Sequence, residues 1–316
     1  MENNILEIKN LDLFFGENQS LYDINLKLKQ GTMHALVGES GCGKSLTAMS
    51  IMQLLPKAAK ITNGEILFNE KNILQYNSSR MRNIRGNEIA LIPQDPMTSL
   101  NPLYTIGNQL IEAIKAHSSV TERQALRKAR EVMDLVKIPE IDKKLQFYPH
   151  EFSGGMKQRI IIAMALACSA KLIIADEPTT ALDVTIQKQI MDLIDEIKKE
   201  LRTTILLISH DLALVSNYAD DVSVMYSGHI VEQANAQEFF RNPIHPYSIA
   251  LLSSLPSTNP NLKLKTIEGA PPSIKEKISG CKFHPRCECC KQDLCDTEQP
   301  KLQEKITNHY ASCLIK

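Results

Sequence analysis

The chain has 316 residues, enough for about two domains or one elaborated one with a sizeable core. Its 36 Lys and Arg balance 36 Asp and Glu, so it lacks the basic excess of a general polyanion binder. The 43% hydrophobic and 23% charged fractions are those of an ordinary globular protein.

Met1-Glu2-Asn3-Asn4 has neither the basic start nor the apolar run of a signal peptide. The longest apolar stretch, Ile160 to Cys168, falls far short of the ~20 residues of a bilayer span. The expectation is a chain that neither crosses a membrane nor is exported. Its eight cysteines then imply free thiols or metal ligands rather than disulfides. Cys42 and Cys168 stand alone, while Cys281, Cys287, Cys289, Cys290, Cys295 and Cys313 crowd the C-terminal stretch, which is chemically unlike the body.

In chain order, Ile5-Leu6-Glu7-Ile8 and the alternation of Ile24, Leu26 and Leu28 predict short strands. Met33 to Val37 is an apolar run suited to a buried parallel strand. A glycine-rich loop follows, then helical spacing from Leu46 to Leu55 that stops at Pro56. Gly64 to Phe68 predicts another small strand pair, and residues 104–168 are mostly helical in pattern. The parallel-strand signal returns in Leu172-Ile173-Ile174-Ala175 and in Thr204 to Ile208, separated by a helix from Ile186 to Leu201. This alternation predicts a doubly wound α/β core with right-handed crossovers, interrupted by a helical insertion. Pro243, Pro246, Pro256, Pro260, Pro271 and Pro272 mark a broken connection into the cysteine-rich tail.

Gly38-x4-Gly43-Lys44-Ser45 fits the Walker A pattern between a strand and a helix. Its glycines let backbone N–H groups converge on phosphate oxygens, and the helix N-terminus adds its positive dipole end. The expected ATP contacts are Gly38, Ser40, Gly41, Cys42, Gly43, Lys44, Ser45 and Leu46, with Lys44 on the β- and γ-phosphates and Ser45 on Mg²⁺. A glycine-rich turn with an incidental lysine is the plain alternative, and the strand–loop–helix context speaks against it. An apolar strand ending in Asp176 and Glu177 is common by itself. Beside a phosphate loop, Asp176 suits the Mg²⁺ shell and Glu177 suits general-base work on the attacking water.

Phe152-Ser153-Gly154-Gly155-Met156-Lys157-Gln158-Arg159 resembles the signature motif of the ABC ATPases, about 20 residues before Asp176. Ser153, Gly154 and Gly155 at a helix start make a second anion site, which with Gln158 is expected to cap a partner's nucleotide. Further matches carry the same resemblance. Gln94, in Leu91 to Pro96, matches the Q-loop that senses Mg²⁺ and water. Ala181-Leu182-Asp183 matches the D-loop at the dimer interface, and His210 matches the switch histidine on the γ-phosphate. Phe15 is the candidate for adenine stacking, while Phe14 and Tyr22 could take that role or belong to the core.

The motifs cover residues 5 to about 235 and resemble the nucleotide-binding subunit of ABC transporters. The resemblance implies a P-loop ABC nucleotide-binding domain over 1–235, with a parallel-sheet core, a small antiparallel β subdomain and a helical subdomain at about 95–168. A small cysteine-rich extension over 236–316 completes the expected plan. Gln94 to Pro102 and the stretch Asn242 to Ser248, followed by Leu251 to Pro256, are similar to the peptide and nickel importer family. That implies a peripheral ATPase on the cytoplasmic face of the membrane. It would be paired with a second ATPase (a sibling or a copy of itself), bound to two permease subunits and served by an extracytoplasmic solute-binding protein. No nucleic acid is expected.

Short peptides are the expected cargo, with nickel or a metal chelate as the alternative. A soluble ABC ATPase acting on ribosomes or DNA, and a metal-sensing module with a degenerate ATPase, are rivals from other classes. Cys281-x5-Cys287-x7-Cys295-x17-Cys313 resembles the family's four-cysteine pattern, which in some members holds a [4Fe-4S] cluster. The second gap is one residue longer than that pattern, and Cys289 and Cys290 are extra. Cys287-x2-Cys290 keeps zinc as a rival, as do thiols without metal, and His284 is an alternative ligand.

Overall fold

The computed structural model describes residues 3–180, 182–255 and 266–316. Met1-Glu2, Ala181, Pro256 and Pro260 lie outside the described residues. The chain forms two compact units, one of residues 1–74 with 208–316 and the other of residues 75–207.

The first unit begins with β1 (Asn4–Phe15) and β2 (Asn18–Lys29), an antiparallel pair far longer than the short strands expected. Register shifts between Ile8 and Leu11 break the two-residue alternation that sequence reading follows. Asn10 and Asp23 take positive φ there, and the Asn10 amide donates to the Asp23 carboxylate at 2.7 Å. Next come β3 (Met33–Val37), buried along its whole length, and α1 (Lys44–Met52). β4 (Ala59–Phe68) pairs with β1 and with β5 (Lys71–Asn72), giving a small sheet in the order β2-β1-β4-β5.

The second unit opens with α2 (Ser78–Ile84) and β6 (Ile89–Ile92), then runs through a helical stretch. That stretch comprises α3 (Pro96–Ser99), α4 (Ile106–His117), α5 (Glu122–Leu135), α6 (Ile141–Lys144) and α7 (Gly154–Leu166). Thr121 caps α5 in a capping box with Gln124, and Ala125, Ala129, Val132 and Met133 form its buried stripe. α7 buries most of its circumference, including Ile160, Ile161, Ile162 and Ala163, and packs against α3, α4 and α5. β7 (Leu172–Asp176), α8 (Val184–Leu201) and β8 (Thr204–Ser209) follow, and the strand order here is β8-β7-β6.

The chain re-enters the first unit within β8 and continues through α9 (Leu212–Tyr218), β9 (Asp221–Tyr226) and β10 (His229–Asn235). α10 (Ala236–Arg241), α11 (Pro246–Ser253), β11 (Gln303–Ile306) and β12 (His309–Ala311) complete it. The order in this unit is β11-β12-β10-β9-β3, with β3 and β9 parallel and the other pairs antiparallel. His34 of β3 is buried against the Ser223 hydroxyl at 2.8 Å, and burial pushes its imidazole down to about 4.

One buried carboxylate ties the end of the chain to this sheet. Glu232 on β10 has no exposed surface and accepts the backbone N–H groups of Ile244 and His245, both at 2.8 Å. His309 of β12 lies 2.7 Å from the same carboxylate. Removing one member of such a group strands the others in a dry interior. Glu232→Ala is therefore expected to cost about 3–5 kcal/mol of unfolding free energy. Urea midpoints equal to wild type would show that the cluster carries no stability.

Candidate functional site

In the first unit, β3 delivers the chain into the glycine-rich loop. Gly38 has φ 150°, and a Cβ there would lie 2.2 Å from the carbonyl oxygen of Met225. Gly43 has φ 114°, with Leu21 and the Met225 side chain in the way of any Cβ. Gly43 is also the N-cap of α1, which carries no side-chain cap and no acidic residue in its first turn. The positive end of the helix therefore faces the loop.

The Lys44 side chain is buried and folds back across the loop, donating to Gly38 O at 2.8 Å and Glu39 O at 3.0 Å. Its third contact is the Cys42 sulfur at 3.8 Å, which a phosphate oxygen readily replaces. Burial raises the Cys42 thiol, so this sulfur is a neutral neighbour. Phe15 ends β1 with 40% of its surface exposed, as a stacking platform requires. Tyr22 instead stacks on His229 with ring centroids 4.4 Å apart. His210 follows β8 on the surface, just before Asp211, which caps α9.

In the second unit the strand register does the positioning. β6 and β7 are parallel, with Ile92 opposite Ala175. Two residues beyond that pair come Gln94 and Glu177, and the Gln94 amide donates to Glu177 Oε2 at 2.9 Å. The Thr180 hydroxyl donates to the same oxygen at 2.9 Å. Glu177 has φ 48°, a conformation uncommon for a side-chain-bearing residue and one found at functional turns. Asp176 is the last residue of β7 and is half-buried. The result is a carboxylate pair at the end of a buried strand, with one member oriented by two neutral donors. Such a group can accept a proton from water. Thr180 has no part in the motif spacing, and its role emerges only from the turn.

The second candidate anion site is the start of α7. Ser153 caps it, accepting from the Met156 N–H at 3.4 Å. A Cβ on Gly155 would sit 2.7 Å from the Ile186 side chain. Gln158 lies deeper in the helix, 1% exposed, with both side-chain polar atoms buried and lacking hydrogen-bond partners. Asp183 caps α8 through the Ile186 N–H at 3.0 Å, while Ala181 is outside the described residues.

In the tail, Cys281, Cys287, Cys295 and Cys313 line one narrow cavity with His245, Phe283 and His284. Burial raises the Cys281 thiol, to which Cys295 and Cys313 add, and burial pushes Cys287 up to about 12. Among the described residues, no three His, Cys, Asp or Glu side chains are drawn into the shell of a single metal ion. Cys289 is exposed, and Cys290 sits against Cys295. Sequence reading also missed two residues that hold the phosphate loop from the C-terminal side. Tyr247 lies within a recognised segment and Arg286 between two cysteines, but no spacing pairs either of them with Glu39.

The ABC transporter family matches residues 21–180, and the oligopeptide/dipeptide transporter C-terminal region matches residues 231–295. A probable peptide ABC transporter ATP-binding protein of Sinorhizobium fredii is 46% identical, covering 98% of this chain and 94% of that protein. The dipeptide transport ATP-binding protein DppD of Bacillus subtilis is 43% identical, covering 99% and 95%. Among solved structures, cbiO1 of Clostridium perfringens, part of the ABC transporter complex cbiONQ, matches with a TM-score of 0.67. It is 29% identical, over 76% of this chain and 92% of that one. A dimeric ATP-binding cassette in a post-hydrolysis state with ADP and Pi matches with a TM-score of 0.65 at 25% identity, over 73% and 98%.

Two of the three loop glycines differ in a measurable way. Gly41 has φ 79° but open space around its Cβ position. Gly41→Ala is expected to cost about 1–2 kcal/mol from backbone strain alone. Gly38→Ala adds a backbone clash and is expected to cost at least about 2–3 kcal/mol. Denaturation midpoints of the two variants check the order, and equal losses would contradict the close contact with Met225.

Proposed function

The chain belongs to the ATP-binding subunits of ABC transporters, and from that premise we propose that it hydrolyses ATP to drive peptide uptake through a membrane permease. The observation that carries the chemistry is the Glu177 carboxylate, held between Gln94 and Thr180 at the end of a buried strand. The cargo class rests on relatives named for dipeptide and oligopeptide transport, which align over nearly the full length of this chain.

In this reading the N–H groups of the loop from Gly38 to Leu46 and the Lys44 ammonium hold the phosphates, and Phe15 stacks on adenine. Ser45, Gln94 and Asp176 are the residues that would hold Mg²⁺, which neutralises charge on the phosphates when bound. Glu177 takes the proton of the attacking water, and His210 touches the γ-phosphate. Gln94 would offer its side-chain oxygen to the metal while its amide N–H holds the Glu177 carboxylate in place. Ser153, Gly154 and Gly155 complete the site of a second ATPase, a sibling or a second copy. Gln158 supports that helix from within, and Asp183 lies at the shared interface.

The permeases place the chain at the membrane surface; among the described residues no helix is long and apolar enough to cross one. An open cleft of about 640 Å³ lined by Asn101, Tyr104, Gln109 and Glu112 suits a permease loop. Leu103 and Met97 stand exposed in the same helical stretch.

The four tail thiols are a soft donor set around one cavity, suited to a [4Fe-4S] cluster or to zinc, and the resemblance of their spacing to the family's four-cysteine pattern is what favours the cluster. Cys281, Cys287, Cys295 and Cys313 would hold it, and its chemistry there is that of a staple for a tail with little core.

Two measurements test these readings. Glu177→Gln is expected to slow phosphate release by about 10²–10⁴-fold while retaining ATP. Wild-type turnover in that variant would remove Glu177 from the chemistry. Anaerobically purified protein is expected to carry about four iron and four sulfide per chain, lost on Cys295→Ser. Stoichiometric zinc, or no metal, would overturn the cluster.

A further inference from the structure

The phosphate loop is gripped from outside by the C-terminal part of its own unit. Arg286 lies on the short turn His284–Arg286, and its side chain is 6% exposed. Its guanidinium forks onto Glu39, Nη1 to Oε2 at 2.7 Å and Nη2 to Oε1 at 3.0 Å. The remaining donors reach Glu268 O at 2.9 Å, Gly269 O at 3.1 Å and the Tyr226 hydroxyl at 3.4 Å. All five N–H groups of the guanidinium are thus spent. On the backbone side, the Glu39 N–H donates to the hydroxyl of buried Tyr247 at 2.9 Å. Phe283 packs on both Tyr226 and Tyr247, with centroids 5.2 and 5.3 Å away.

These contacts run back to the thiols. Phe283 lines the cysteine cavity, and Arg286 precedes Cys287, which lines it too. The electrostatic sense is specific. Glu39 carries a negative charge inside a loop built to receive a triphosphate, and like charges at that range repel. A bidentate arginine cancels that charge and fixes where the carboxylate points.

We propose that Arg286 and Tyr247 are positioning residues of the nucleotide site, which neutralise and anchor Glu39 and so tie the shape of the phosphate loop to the cysteine cavity. The proposal rests on the reading of this loop as the ATP site. Arg286 sits on the turn beside Cys287, so the position of that turn sets where Glu39 is held.

The test is binding of a fluorescent ATP analogue to the full-length chain, together with KM and kcat in the assembled transporter. Arg286→Ala is expected to raise Kd and KM about tenfold, the scale of one charge-assisted fork, with kcat within about twofold. Adding Glu39→Gln removes the uncancelled charge and is expected to restore most of the affinity. Tyr247→Phe, which deletes only the hydroxyl, is expected to raise Kd about threefold. Cys295→Ser is expected to weaken binding in the wild-type background but no further in Arg286→Ala.

Should Arg286→Ala not fold, Arg286→Lys keeps the charge without the fork, and Tyr247→Phe stands independently. Unchanged Kd in folded Arg286→Ala or Arg286→Lys and in Tyr247→Phe overturns the proposal. So does an Arg286→Ala defect that Glu39→Gln leaves in place. Wild-type protein that binds no ATP removes the nucleotide reading together with this one. Wild-type binding with an insensitive Arg286→Ala removes this one alone.

Discussion

Two backbones pass so close at Gly38 that only a hydrogen atom fits between them, and the rest of the first unit is arranged around that approach. The parallel register that sets Val37 opposite Val224 brings the next residue, Gly38, against the carbonyl of Met225. The hairpin of β9 and β10 is thus the floor on which the phosphate loop rests. Gly43 lies over Met225, Gly228 donates its N–H to Cys42 O at 2.9 Å, and Gly228 O accepts the N–H of Tyr22. Tyr226, the next residue on the same strand, is the aromatic that Phe283 and Tyr247 pack against. A loop supported this way is preorganised, so a ligand spends little of its binding energy on ordering it.

The second unit reaches precision by a different route. Among the described residues there, no glycine is pressed as closely as Gly38. Instead two parallel strands end in register, and the residues just beyond their ends meet. Burial of Leu172 to Ala175 locks β7 in place, and the turn at Glu177 takes a left-handed conformation that swings its carboxylate toward Gln94 and Thr180. The strain of that turn is stored beside the group expected to do the chemistry, as is common in active sites.

Much of this was legible in the residues. Met33–Val37, Leu172–Ala175 and Thr204–Ile208 are strands buried on both faces, and such strands leave uninterrupted apolar runs. Phosphate loops must spend glycines where φ is positive, which makes them conspicuous. What stayed hidden was of two kinds. The full lengths of β1 and β2 were masked by register shifts at Asn10 and Asp23, because a bulge resets the alternation on which strand reading depends. Long-range polar contacts were invisible for another reason. Glu232 looks like any surface glutamate until His309 covers it, and Arg286 meets Glu39 across 247 positions of sequence. Gln158 shows the converse, a residue read as part of an exposed motif whose side chain is buried.

The division of the chain between its units has a consequence for how the protein is made. Residues 75–207 form one uninterrupted unit, whereas the other is assembled from segments on both sides of it. On a ribosome, the second unit can close while β3 still lacks β9 and Glu232 has not been synthesised. His309, which completes the Glu232 cluster, emerges roughly a hundred residues later, or about 5–20 s at ordinary elongation rates. During that interval β3 is a strand waiting for β9, with the aggregation risk that exposed strand edges bring. The cluster around the buried carboxylate on β10 is therefore completed late in synthesis. The sheet beneath the phosphate loop is finished only once β12 has been translated.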